Sequence, residues 1–213
     1  MRVTVEDLTA RLSALPNRSI VAIAGPPGVG KSTLAESLAA TLPDAAVLPM
    51  DGFHYDDAIL RHRGRLERKG ATDTFDVDGL RCMLKRLREA KADVAVPVFD
   101  RELEISRGSA RIIPHRTRLI LVEGNYLLLD RTPWQGLAPY FDLTVMMDLP
   151  DADLTRRLMA RWRHYGLSEE DVARKLSEND LPNARTVRGE SREADLVLYQ
   201  DGSFPHPGIP ASS

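Results

Sequence analysis

The sequence predicts an α/β fold: a parallel sheet covered by helices on both faces. Three observations carry that expectation. The runs SIVAIAG (19–25), RLILVEG (118–124) and LTVMMDLP (143–150) are continuously apolar, as strands buried on both sides must be. Stretches of helical period separate them. One glycine-rich segment, GPPGVGKST, stands at a strand-to-helix junction.

Taken in order, Thr4 to Leu15 reads as an amphipathic helix, with Val5, Leu8, Leu12 and Leu15 on one face and a capping box from Thr4 and Asp7. The strand at 19–25 leads into a helix over KSTLAESLAATL (31–42). AVLPM (46–50) is the next strand. Residues 51–75 read as irregular, with RHRGRLERKG as a solvated basic stretch. The helix expected over 76–91 places Leu80, Met83, Leu84 and Leu87 on one face, with Cys82 on the same helix read as core. VAVPVFD (94–100) is extended, and Pro97 keeps it out of a sheet centre; ARIIPHRT is its candidate partner. After the strands at 118–124 and 143–150 come a helix over 151–166 stopped by Gly166, a second over 168–180 started by Ser168, and a last strand, ADLVLY (194–199). The segment 201–213 reads as a C-terminal tail, leaving 1–200 as a single domain.

Composition narrows the partners. The 213 residues are 43% hydrophobic, enough for a real core, and the net charge of −2 gives no basic excess for nucleic acid. One cysteine, Cys82, allows no disulfide framework within the chain and points to a reducing, cytoplasmic setting. The N-terminus lacks the apolar core of a signal peptide, and no run approaches the roughly 20 apolar residues that span a bilayer, so membrane insertion is not expected. A homodimer is left open.

GPPGVGKST fits G-x-x-x-x-G-K-[ST] at Gly25, Pro26, Pro27, Gly28, Val29, Gly30, Lys31, Ser32 and Thr33. Such a loop curls its N–H groups around a phosphate at a helix N-terminus. Lys31 adds a mobile positive charge, and the Ser32 hydroxyl can reach Mg2+. No N-K-x-D guanine reader and no LSGGQ signature is present, so a small-molecule kinase leads over a GTPase switch or a mechanical ATPase. A kinase needs a carboxylate for the acceptor hydroxyl, another for the metal, and cations for the moving phosphoryl group. Ligands of parallel sheets sit beyond the C-terminal strand ends, where Asp51, Glu123 and Asp148 lie. Asp51 is the candidate base and Glu123 the candidate metal carboxylate, while Asp148 reads as structural. Arg157 and Arg161, four apart on one helix face, and Arg163 near its end are the candidate phosphate cations.

The segments GPPGVGKST, MDGFHYDD, RGRLERKGATDTFDVDGL, VPVFDRE, LILVEGNYLLL and DADLTRRLMARWR occur in the order found in the uridine kinase / bacterial pantothenate kinase / phosphoribulokinase superfamily. The VEGNYLLL and ENDLPNA forms resemble its branch of fructose-transport-system kinases. The resemblance, over about 18–200, implies a P-loop NTPase fold: three α/β/α layers, a five-stranded parallel core and a small helical lid near 151–166. It implies ATP and Mg2+, Asp51 as catalytic base and lid arginines on the phosphates. It also implies an acceptor pocket whose candidates here are Phe53, His54, Asp76, Phe99, Asp100 and Arg101. FDRE stands where pantothenate kinases carry Y-S-H, and a charged Asp100–Arg101 pair suits a hydroxyl-rich acceptor. The expected reaction is γ-phosphoryl transfer from Mg-ATP to a hydroxyl of a small metabolite, a sugar such as fructose. The alternatives are a nucleoside or pantothenate-like kinase, and a nucleotide-binding regulator linked to sugar transport.

Overall fold

In the computed structural model, which describes residues 1–199, six parallel strands form one sheet in the order β1-β8-β7-β2-β6-β3. The strands are β1 (Arg2–Val3), β2 (Ser19–Ala24), β3 (Ala45–Pro49), β6 (Leu119–Gly124), β7 (Leu143–Asp148) and β8 (Leu196–Tyr199). The remaining two, β4 (Val94–Asp100) and β5 (Ile105–Ile113), make a separate antiparallel ribbon. The helices are α1 (Val5–Ala14), α2 (Lys31–Thr41), α3 (Asp57–His62), α4 (Val77–Glu89), α5 (Asp151–His164), α6 (Glu169–Lys175) and α7 (Leu181–Glu190).

The alternation of side chains along a strand divides the core in two. Ile20, Ala22 and Ala24 of β2 face Leu80, Leu84 and Leu87 of α4 together with Trp134 and Leu137. Val21 and Ile23 face Leu8 and Leu12 of α1, Leu34 and Leu38 of α2 and Leu154 and Leu158 of α5. Each such side chain contributes about 1.5–3 kcal/mol when fully buried. The α/β/α layering expected from the apolar runs is therefore the observed one. Five longer strands form its parallel core, and the two-residue β1 extends it at one edge, too short to show a period.

Several local expectations need correction. Residues 51–75 are not irregular throughout: a 3-10 turn (Met50–Phe53), α3 with the Asp56 side chain capping Ala58, and a 3-10 turn at Leu66–Arg68 occupy them. The helix of 168–180 stops at Lys175, becomes a π turn over Leu176–Asp180, and continues as α7, with Pro182 at its start where no N–H is needed. Cys82 is exposed on α4, not core, because Leu80, Leu84 and Leu87 hold the buried face. Thr4 and Asp7 do form the capping box of α1, a feature worth about 1 kcal/mol. Pro97 sits where the β4–β5 register shifts, between Val96 and Val98. The 201–213 tail lies outside the described residues.

Candidate active site

All strands of the main sheet run one way, so β2, β3, β6 and β7 end along one edge. There the chain opens a cleft of about 610 Å³. Gly28, Gly30, Lys31, Ser32, Thr33, Asp51, His54, Phe99, Arg101, Glu123, Arg157 and Arg161, all singled out from the sequence, line it.

The loop after β2 keeps Gly25, Gly28 and Gly30 at positive φ, and a side chain at Gly25 would bring its Cβ within 2.5 Å of the Met147 carbonyl oxygen. Gly30 ends the loop as the N-cap of α2, with no side chain satisfying the first turn. Lys31 is buried and donates to the Pro26 carbonyl at 2.9 Å. Burial lowers its pKa to about 8, against the raising effect of Glu123 and Asp51. The hydroxyl of Thr33 is buried, with no hydrogen-bond partner among the described residues. Pro26, Gly25 and Val29 belong to the loop but do not line the cleft.

Glu123 closes the apolar strand β6 and is buried. Burial, reinforced by the negative charge of Asp51, raises its pKa to about 7, while Lys31 and the Ser32 hydroxyl pull it down. Among the described residues no cluster of three metal-ligating side chains occurs. One carboxylate beside a serine hydroxyl is nevertheless a donor set that suits Mg2+, whose other ligands would come from phosphates and water. The orphaned Thr33 hydroxyl, the uncapped helix start, Lys31 and the Glu123–Ser32 pair fit a polyphosphate with its cation.

Asp51 follows β3 in the 3-10 turn Met50–Phe53. The Asp-Gly pair here is not a hairpin turn. Gly52 is required because β4 passes directly over it: a Cβ would lie 2.5 Å from the Pro97 carbonyl oxygen. Burial raises the pKa of Asp51, but Arg101, His54, Lys31 and Arg161 together outweigh it and hold the carboxyl below its usual range. Arg101 makes an ion pair with Asp51, and its guanidinium lies over the Phe99 ring, 4.7 Å from the centroid. Lys69, paired with Asp57 at 2.6 Å, stacks on the same ring at 5.2 Å. His54 packs between Phe75 and Phe99 at 4.0 and 4.8 Å, its Nδ1 bonded to the Asp51 carbonyl; burial lowers its pKa.

Four predicted residues lie elsewhere. Asp76 caps α4 by accepting from the Gly79 N–H at 2.9 Å. Asp100 accepts from the N–H groups of Glu102 and Leu103 and from Arg107, so it does not share a ligand fork with Arg101. Arg163 is tied by two bonds to Glu169, outside the cleft. Phe53 is core. Asp148, read as structural, holds Arg188.

The sequence reading missed further residues that line the cleft, among them Lys69, Phe75, Asn179, Asp180 and Asn183. The available signal was the stretch ENDLPNA, where two asparagines and an aspartate stand in a helical region that ordinarily disfavours them.

The class follows from this geometry together with the family model that matches. Residues 20–200 match the phosphoribulokinase / uridine kinase family, and the chain belongs to it: it is a P-loop kinase. Among individual relatives, protein YggC of Escherichia coli, whose function is uncharacterized, is 35% identical over 85% of this chain and 77% of its own. A pantothenate kinase of Streptomyces coelicolor is 30% identical over 68% of this chain, which spans about half (47%) of that enzyme. Among solved structures, a "putative fructose transport system kinase" from Silicibacter sp. TM1040 is 39% identical, with a TM-score of 0.84 over 92% of this chain and 98% of its own.

Proposed function

We propose that the protein transfers the γ-phosphoryl group of Mg-ATP to a hydroxyl of a small, hydroxyl-rich metabolite, a sugar such as fructose. One observation carries this reading: the Asp51 carboxylate faces the same cleft as the phosphate-loop Lys31, close enough that each shifts the other's pKa. Asp51 orients the acceptor hydroxyl and takes its proton. A carboxylate of low pKa serves, because a loose transition state demands little early proton removal. Accepting the substrate requires Arg101 to share or release Asp51, which keeps the base aimed into the cleft until then.

Lys31 and the arginines 157 and 161 of α5 stabilise the charge on the transferring group, and the buried Thr33 hydroxyl gains a phosphate partner. Ser32 and Glu123 would hold Mg2+, which would supply positive charge to offset that of the phosphates. His54 and Phe99 form one wall of the acceptor pocket. Residues 1–200 act as one kinase unit with 151–166 as its lid, in the cytoplasm. The likeness to a "putative fructose transport system kinase" supports a sugar acceptor, and FDRE in place of the pantothenate kinase Y-S-H speaks against pantothenate.

The experiment is a panel of sugars, nucleosides and pantothenate with Mg-ATP. Sugar-dependent ADP release is expected. Release stimulated only by nucleosides or pantothenate would replace the acceptor, and slow release indifferent to every acceptor would replace the kinase reading with that of a nucleotide-binding regulator.

A further inference from the structure

The turn that carries Arg101 is anchored on both flanks. Asp100 accepts from the N–H groups of Glu102 and Leu103, both at 3.1 Å, and from Arg107 at 3.0 Å, which closes the link between β4 and β5 on itself. Lys69, paired with Asp57 of α3, donates to the Glu104 carbonyl. On the other flank the Ser106 hydroxyl donates to the carbonyl of Gly52, the residue after Asp51. β4 lies against that same glycine, at Pro97. The backbone under Arg101 is thus registered against the backbone under Asp51.

The side chains continue the pattern. Arg101 donates from Nη2 to Oδ2 of Asp51, and its guanidinium lies over the Phe99 ring. His54 packs on that ring too and is tied to the Asp51 carbonyl at 2.9 Å. An exposed ion pair between two loose side chains contributes little. Here one partner is stacked and both stand on fixed turns. The Arg101 side chain is 39% exposed and that of Asp51 23%, so the carboxylate sits deeper and the guanidinium is the more open to solvent.

An empty acceptor pocket poses a problem of selectivity. Water is the smallest hydroxyl compound and the most abundant, and a base serving an acceptor hydroxyl can serve water. In hydrolysis the water oxygen bonds to the γ-phosphorus, the bond from that phosphorus to the ADP oxygen breaks, and the water proton passes to Asp51. In transfer an acceptor hydroxyl takes the place of water in the same step. A guanidinium on the carboxylate opposes both until something separates the pair. One water exchanges one contact for another and gains little from the separation. A polyhydroxylated acceptor donates one hydroxyl to Asp51 and offers its neighbouring oxygens to the freed guanidinium, so its binding energy drives the pair apart.

We infer that Arg101 discriminates the acceptor hydroxyl from water: by holding Asp51 while the acceptor pocket is empty, it suppresses hydrolysis of the bound nucleotide. This rests on the kinase reading above and adds a specificity determinant to it. Arg101 acts through Asp51 and is a positioning residue. Damage to the site slows hydrolysis, whereas removal of a restraint on the base speeds it, so the two roles differ in sign.

The test measures ADP release by the full chain at saturating Mg-ATP, without acceptor and with the panel of sugars, nucleosides and pantothenate. Arg101→Met is expected to raise acceptor-free release about fivefold, the change in population that one partly exposed ion pair supports. The ratio of acceptor-dependent to acceptor-free release is expected to fall. Arg101→Lys keeps a cation for Asp51 and is expected to return acceptor-free release towards that of the wild type. Adding Asp51→Asn to Arg101→Met is expected to abolish the gain. Acceptor-free release in Arg101→Met no faster than in the wild type, with nucleotide affinity retained, overturns the inference and leaves the kinase reading standing. A gain that survives Asp51→Asn does the same. If Arg101→Met misfolds and loses its nucleotide, Arg101→Gln, which keeps a polar head on the exposed turn, carries the same expectation and the same refutation. Wild-type ADP release that no acceptor of the panel stimulates overturns the kinase reading, and the inference with it.

Discussion

The two walls of the cleft are built differently. In the proposed reading the phosphate wall is chiefly one contiguous segment, Gly25 to Thr33, whose chemistry is mostly backbone N–H groups, one lysine and two hydroxyls, joined by Arg157 and Arg161 of α5. The acceptor wall is assembled from distant pieces: Asp51 and His54 after β3, Lys69 and Phe75 in the following turns, Phe99 and Arg101 at the end of β4, and Asn179 to Asn183 at the π turn. A phosphate is the same ligand in every such enzyme and is met by a local solution. An acceptor varies, and side chains on separate elements can vary with it without disturbing the loop.

Variants on the two walls should therefore fail in different ways. The largest effect belongs to the phosphate wall. Lys31→Ala should lower kcat/KM by about 10³-fold and weaken nucleotide affinity, measured by steady-state kinetics and nucleotide titration. Intact catalysis there would break the comparison at its firmer side.

Glu123→Gln should cost less in rate but change the pH and metal dependence. With a pKa near 7, Glu123 loses its charge as pH falls below 7, so activity should decline there. Raising Mg2+ should move the decline to lower pH, because the cation binds the charged form; the variant should lose that shift. The sign for stability is the reverse. The folded pKa lies above the unfolded value of 4.5, so the folded state holds the extra proton between them. The cost of burying the charge is full above pH 7 and relieved as pH falls towards 4.5. Glu123→Gln should then raise the Tm of the ligand-free protein at pH 8 and change it little at pH 5.

Two smaller effects sharpen the boundary of the acceptor wall. Asp76→Ala should cost about 1 kcal/mol of stability through the lost α4 cap, read by denaturant unfolding, with the acceptor KM unchanged. Arg163→Ala removes an exposed ion pair worth about 0–1 kcal/mol and should leave kcat/KM within twofold.

The same contrast explains what could be read in advance. The sheet was legible because strands buried on both faces admit few polar residues, and the phosphate loop because its spacing is local. Asp51 and Glu123 could be placed at one cleft in advance because parallel strands bring their ends together, whichever residues lie between. Asp76 and Asp100 were misplaced because a carboxylate at a helix start or a strand end has a second use, binding nearby backbone N–H groups, and no periodicity separates capping from ligand binding. Asn179, Asp180 and Asn183 escaped because a π turn shifts the helical phase by one residue. Side chains that a regular helix would turn elsewhere are thereby carried into the cleft.

The central claim is that Asp51 serves the acceptor across a cleft whose other side holds the nucleotide. Steady-state turnover of Asp51→Asn, beside its nucleotide affinity, tests it most directly. The account predicts kcat lower by about 10²- to 10⁴-fold with nucleotide binding retained; turnover equal to that of the wild type would contradict it.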